Sequence, residues 1–456
     1  MTRPVRASLG LVVAVGVGCG PAADRPAQEL GGVISVVVED HPVSETPPTH
    51  PHVEPFLAVD PLDDDRLLAG TIVVSSDRTT WTCATLLSED GGAMWSRQSF
   101  DIERCIDPWV VFTGDGGSLF AATSIRRDGE GDDRFALEVF ASSDGGRSWS
   151  GPTVAGRTFE HAMMVVGSAR GPSTPTYLVG RVTRSDAEGE AAHEIFLGRH
   201  RAGGGGFDTL QIFRPTPLSH TPTGLVVLPD GSLALSFRDE GEAAPAGGAS
   251  DTPSLGSIPR TWLVHGDPVS DFSDPRPISD RCGNAPTFPG WPFLAADTTA
   301  GPRGGRLYHI CTRTGFRGID FRWSADLGST WHSPSRRPDP RPDQGEPHVR
   351  TVMLAVSRDG AVGIAWQDRR NDPERECQEL YFSASIDGGA TFLDPERIST
   401  AASCPLVPGN GSVGESWAGG GDYSSLTSAP DGTFHILWAD SRRGLFEIRH
   451  AAVRVR

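Results

Sequence analysis

The chain of 456 residues contains no lysine: its 41 basic residues are all arginine, against 58 Asp and Glu, for a net charge of −17. That absence excludes a Schiff-base lysine and the lysine of a phosphate-binding loop. An acidic chain without a basic run argues against a nucleic-acid partner, because phosphate neutralisation supplies most of that affinity. Beyond the first twenty residues no apolar run reaches 18, so nothing further is read as a membrane span. No segment sustains a 3.6-residue apolar period, which predicts minimal helix. No CxxC or CxxH spacing occurs, so neither a metal site nor a cofactor is expected. Tyrosine is scarce, with four in the chain.

Glycine (55), proline (37) and tryptophan (11) are plentiful, enough for many turns around a large core. At the N-terminus, Arg3 and Arg6 precede a short apolar stretch over 9–17 that ends in Gly16-Val17-Gly18-Cys19. It resembles a bacterial lipoprotein signal over 1–19, with Cys19 as the lipidated residue and 20–32 as a tether. Ordinary cleavage near Ala22 and Ala23 is the alternative. Either reading places the mature chain outside the cytoplasm, touching a membrane only through the lipid. The remaining cysteines fall into near neighbours 22, 29 and 27 residues apart. Six cysteines allow 15 connectivities; this spacing predicts Cys83–Cys105, Cys282–Cys311 and Cys377–Cys404.

Four segments share the form S-x-D-x-G with an aromatic after it: Ser88 to Trp95, Ser142 to Trp149, Ser324 to Trp331 and Ser385 to Phe392. The Asp can accept turn N–H bonds, the Gly can take positive φ, and the aromatic can pack between sheets. Asp90 and Asp144 are 54 residues apart, Asp326 and Asp387 are 61, and Asp144 to Asp326 is 182, about three units. A second ladder of apolar strand, Asp-Gly turn and apolar strand gives pair starts near 56, 108, 162, 223, 292, 350 and 423. Both counts predict seven units. The last unit supplies three strands, and the segment 33–39 is placed to complete it and close a ring. The expectation is an all-β, seven-bladed propeller over 33–456, monomeric, with six blades as the alternative.

Antiparallel alternation puts the start of each innermost strand and the end of the second strand on one face of the ring. That face collects Glu54, Asp107, His161, His220, His348 and Asp422 from strand starts, and Asp77, Arg238, Arg370 and Arg443 from second-strand ends. Carboxylates and guanidiniums converging on an axis suit an anionic or polyhydroxylated ligand such as a glycan. Two carboxylates across such a funnel could do glycoside chemistry. The plainer reading is that Asp–Arg pairs tie neighbouring blades together.

The repeated turns resemble the Asp-box of sialidase-like propellers. The resemblance implies a tyrosine nucleophile, an arginine set for a substrate carboxylate and an aspartate acid/base. Asp422-Tyr423-Ser424 resembles the nucleophile segment; Arg238 and Arg317 match arginine positions; Asp77 stands in for the acid/base. The departures are large. The family's Arg-Ile-Pro is Val53-Glu54-Pro55 here, and the glutamate partner of the tyrosine is replaced by His220-Thr221-Pro222. Two functions follow: a hydrolase using Glu54, Asp107, Asp422 and Tyr423, or a non-catalytic propeller that binds a glycan or a protein on the same face.

Overall fold

In the computed structural model the alternating apolar strands pair into seven separate antiparallel sheets, so the protein is a seven-bladed β-propeller. The structure describes residues 32–44, 48–75, 80–102, 104–127, 133–157, 159–167, 171, 174–185, 191–201, 206–214, 220–239, 261–282, 291, 293–340, 348–416 and 419–456. Cys19, nearly all of the expected tether and Asp77 lie outside them. Residues Gly32–Arg456 form one compact unit.

The innermost strands, in blade order, are His52–Asp60, Cys105–Phe112, Phe159–Val166, His220–Val227, Phe293–Ala296, Val349–Val356 and Ser425–Ser428. Each continues outward through hairpins in sequence order. The fifth blade has three described strands; in place of a fourth, His332 makes a single bridge to Trp323. Pro334, Pro338 and Pro340 follow, and proline cannot donate to a ladder. Among the described residues helix is limited to Gly411–Ser416 and two 3-10 turns.

Closure uses the N-terminal strand, as its isolation in the sequence predicts. Ile34–Pro42 pairs antiparallel with Glu447–Val455 as the outer strand of the seventh blade. A buried ion network fixes that join. Arg449 bonds Asp40 and Glu447, while Arg442 reaches Asp40 at 2.6 Å and Asp440 at 2.7 Å. Breaking a buried pair from one side costs about 3–5 kcal/mol, so the first strand is held by charge as well as by its ladder.

The four S-x-D-x-G turns share one hydrogen-bond pattern. The Ser hydroxyl donates to the Asp, at 2.9, 2.7, 2.8 and 2.7 Å in chain order. The Asp accepts the N–H four residues on, from Met94, Ser148, Thr330 and Thr391. The trailing aromatic then enters the space between sheets: Trp149 meets Phe100 and Phe120, and Phe392 meets Phe321 edge-on at 4.9 Å. Leucine, valine and phenylalanine from facing blades fill the rest of those spaces. Disulfides Cys83–Cys105, Cys282–Cys311 and Cys377–Cys404 are all formed. Loops of this length contribute about 3 kcal/mol each, and three such bonds fit an oxidising compartment.

Candidate functional site

One extra residue interrupts the ladder at the start of the innermost strand in each of the first three blades. Val53 faces Ile72, but Phe56 faces Gly70; Ile106 faces Thr123, but Trp109 faces Ala121; Glu160 faces Arg181, but Met163 faces Val179. A bulge re-aims the side chain it carries. Here the residues carried are Glu54, Asp107 and His161, all in the left-handed region with φ of 53°, 50° and 52°. Each costs about 1–3 kcal/mol for a non-glycine residue. Three equivalent strained positions bearing two carboxylates and an imidazole mark the hub as the candidate site.

The seventh blade completes the cluster. Glu54 donates its backbone N–H to Gly420 O at 2.9 Å, and its Oε1 accepts the Asp422 N–H at 3.0 Å. Gly421 makes this approach feasible: its φ is 118°, and a Cβ there would stand 2.0 Å from the Glu54 Cγ. Asp107 Oδ2 accepts the His161 N–H at 3.1 Å, and its Oδ1 lies 3.6 Å from the His161 Nδ1. Trp291 donates its backbone N–H to the Asp422 carbonyl at 2.9 Å. Its indole lies 4.5 Å from the His161 ring and 5.0 Å from the Arg238 guanidinium. Asp107 and His161 meet Trp109, Trp291, Phe293 and Tyr423 around a small pocket.

The hub separates protonation states. Burial, then the charges of Asp422 and Asp107, raise Glu54 well above the usual carboxyl range. Burial pushes Asp422 up to about 6, with His161 and Arg238 opposing the rise. Burial would raise Asp107 too, but the charge and hydrogen bonds of His161 outweigh it and hold Asp107 below its ordinary value. Burial lowers His161, but Asp107 outweighs it and the net shift is upward. The Tyr423 phenol is raised well above 10 by burial and then by Glu54, Asp107 and Asp422. It stays protonated. Two carboxyl groups shifted in opposite directions, Glu54 upward and Asp107 downward, with a neutral phenol beside them, can give a proton at one point and take one at another.

Six predicted residues therefore converge: Glu54, Asp107, His161, Asp422, Tyr423 and Arg238. The others sit apart from this cluster. His220 is fully buried against Phe237. Arg370 is bonded to Asp368 at 2.7 Å and lies over Tyr381. Arg443 extends its half-exposed side chain toward Glu447 at 4.0 Å. Arg317 is exposed just after the turn Thr314–Phe316. His348 packs on Phe316 and is lowered to about 4 by burial and nearby arginines. Among the described residues, the grouping dense enough to hold an ion is Cys282, Cys311 and Asp320, and its two sulfurs are already joined to each other. Trp291 and Arg350 were not singled out from the sequence. The signal available was the shared Glu54-Pro55-Phe56 and Asp107-Pro108-Trp109 pattern, which aligns the bulges and would locate Arg350 at the sixth.

No protein-family model and no curated protein matches the chain. Solved structures do. A protein of unknown function from Dyadobacter fermentans is 12% identical with a TM-score of 0.51, over 93% of this chain and 99% of that one. An α-L-arabinofuranosidase of Fusarium graminearum, solved with arabinobiose, is 13% identical with a TM-score of 0.49, over 92% and 97%. The sialidase of Trypanosoma rangeli, solved with sialic acid, is 14% identical with a TM-score of 0.42, over 93% of this chain and 59% of that one. At such identity the Dyadobacter likeness is one of fold, and fold alone does not carry activity; the structures similar to this chain include propeller glycosidases.

Proposed function

We propose that the chain is an extracytoplasmic, glycan-acting propeller that hydrolyses glycosidic bonds at its hub, lipid-anchored at Cys19 or secreted. The observation that carries this reading is the trio of left-handed bulges at Glu54, Asp107 and His161, aimed at Asp422 and Tyr423. Glu54, whose burial favours the protonated carboxyl, is the candidate proton donor to the departing glycosidic oxygen. Asp422, largely ionised at pH 7, is the candidate second carboxylate, acting on water or on the sugar carbon. The Asp107–His161 pair and Arg238 set the field between them. Tyr423 serves as a neutral hydrogen-bond donor, since its raised pKa disfavours a phenolate nucleophile. Trp109, Trp291 and Phe293 offer apolar faces to a sugar ring.

The test is a panel of fluorogenic aryl glycosides with the wild type and Glu54→Gln. Turnover that falls at least a hundredfold in the variant supports the reading. No turnover on any glycoside, with glycan-array binding retained, rejects hydrolysis and leaves a binding propeller.

A further inference from the structure

The sixth blade carries a one-residue bulge in the same register as the first three, without their left-handed φ. Val349 faces Asp368, but Val352 faces Trp366, and the residue at the position of Glu54, Asp107 and His161 is Arg350. Its guanidinium lies over the Phe316 ring at 4.0 Å, and its Nε is buried without a hydrogen-bond partner. Arg369, at the end of the neighbouring strand and 7% exposed, also has a buried Nε without a partner. One of its other nitrogens donates to the Arg375 carbonyl, and its N–H donates to His348 O at 3.2 Å. Among the described residues no carboxylate makes an ion pair with either arginine.

Two other arginines at second-strand ends are matched by carboxylates. Arg370 has Asp368, and Arg442 has Asp440 and Asp40. Burial and then Arg369 lower Arg350 to about 10, and Arg369 falls likewise to about 10 through burial, although Asp372 and Glu376 oppose it. His348 adds a buried ring nitrogen without a partner. Buried donors left unsatisfied are expensive, and a guanidinium pair is suited to grip an oxyanion with parallel bonds.

We propose that Arg350 and Arg369 form an oxyanion subsite beside the hub, so that the glycan acted on carries an acidic group, a carboxylate or a sulfate ester. This deepens the glycan-acting reading and rests on it. Phe316 holds the Arg350 guanidinium flat, and His348 supplies a further ring nitrogen to the same oxyanion.

The experiment presents full-length wild type, Arg350→Gln and Arg369→Gln to an array of uronate-bearing, sulfated and neutral glycans. Calorimetry then compares the best acidic glycan with its neutral counterpart, and inorganic sulfate is run alongside. Wild type should prefer the acidic member at least tenfold, and each variant should lose about tenfold on it while neutral glycans are unchanged. The carboxylate and sulfate arms tell which oxyanion is held. Equal binding of acidic and neutral glycans, no binding at all, or binding of inorganic sulfate alone overturns the subsite. Acidic preference without glycoside turnover would sink the hydrolase and keep the subsite; turnover indifferent to charge and to Arg350 would do the reverse. Arg350→Met should melt at or above the wild-type temperature, because it removes an unpaired buried cation. A fall of several degrees would assign Arg350 to the scaffold instead.

Discussion

Where the third strand turns back in the first, second, fifth and sixth blades, residue and geometry repeat together. Ser88, Ser142, Ser324 and Ser385 each bond an Asp two residues on, and each Asp holds an N–H two positions beyond the glycine. At the hub the geometry repeats and the residue does not. The same one-residue bulge presents Glu54, Asp107, His161 and Arg350 in the first, second, third and sixth blades. A turn that serves only folding needs the same chemistry in every blade. A bulge kept while its side chain varies, at a left-handed cost in the first three blades, is a mount for different functional groups. The two regions therefore predict opposite responses to substitution.

The largest effect should come from the hub. Glu54→Gln keeps the shape and removes the ionisable proton, so kcat/KM on a responsive glycoside should drop about 10²–10⁴-fold while circular dichroism is unchanged. Full activity in that variant would remove Glu54 from the chemistry and break the comparison at its centre. Next in size is the pH response. Asp422 must be ionised to act as the second carboxylate, so activity should fall with decreasing pH, through a midpoint of about 6, roughly tenfold per unit below it. Because the hub acids interact, that midpoint belongs to the cluster. Asp422→Asn should abolish activity outright; an acid limb persisting in a residually active Asp422→Asn protein would assign it elsewhere. A third response separates strain from use. Asn tolerates the left-handed region better than Glu, and Glu54→Asn also removes a buried acid. Its midpoint in urea should imply equal or higher stability, by about 1 kcal/mol, with activity lost. Clear destabilisation would mean that the bulge is not strained for function.

Much of the ring was legible because its signals are local. Asp-Gly turns between apolar runs, and the isolated strand near the N-terminus, gave seven units and their closure; the observed inner strands begin within a few residues of the expected places. The missing fourth strand of the fifth blade was not foreseen, although prolines at 334, 338 and 340 forbid a regular ladder there. At the hub, strand starts named Glu54, Asp107, His161 and Asp422, but the left-handed backbone that separates the first three from His220 or His348 leaves little trace in composition. Arg370 illustrates the opposite difficulty. It belongs to Trp366-Gln367-Asp368-Arg369-Arg370, nearly copied in the seventh blade, and in both copies the Trp and an Arg close on the Asp. A motif that repeats in residue as well as place belongs with the turns. Arg369, inside the same motif but without such a partner, does not.

The smallest effect should come from the turns, and its sign fixes the other side of the comparison. Asp326 accepts the Thr330 N–H at 2.8 Å, the Thr330 hydroxyl at 2.6 Å and the Ser324 hydroxyl at 2.8 Å. Those bonds, the Thr330 hydroxyl first, hold its carboxyl down at about 2. A carboxyl lowered on folding adds stability that is fully present above the unfolded value near 3.8 and is lost as pH falls toward 2. Asp326→Ala should therefore lower stability by about 1 kcal/mol at neutral pH, the typical worth of such a capping bond. The difference from wild type should shrink as pH falls below 4, because wild type then loses the same contribution. Activity should not move, since the fifth-blade turn faces away from the hub. Urea titrations at pH 7 and pH 3, with turnover assayed at pH 7, measure all three; a variant as stable as wild type at both pH values would show that the turn repeats for some reason other than folding.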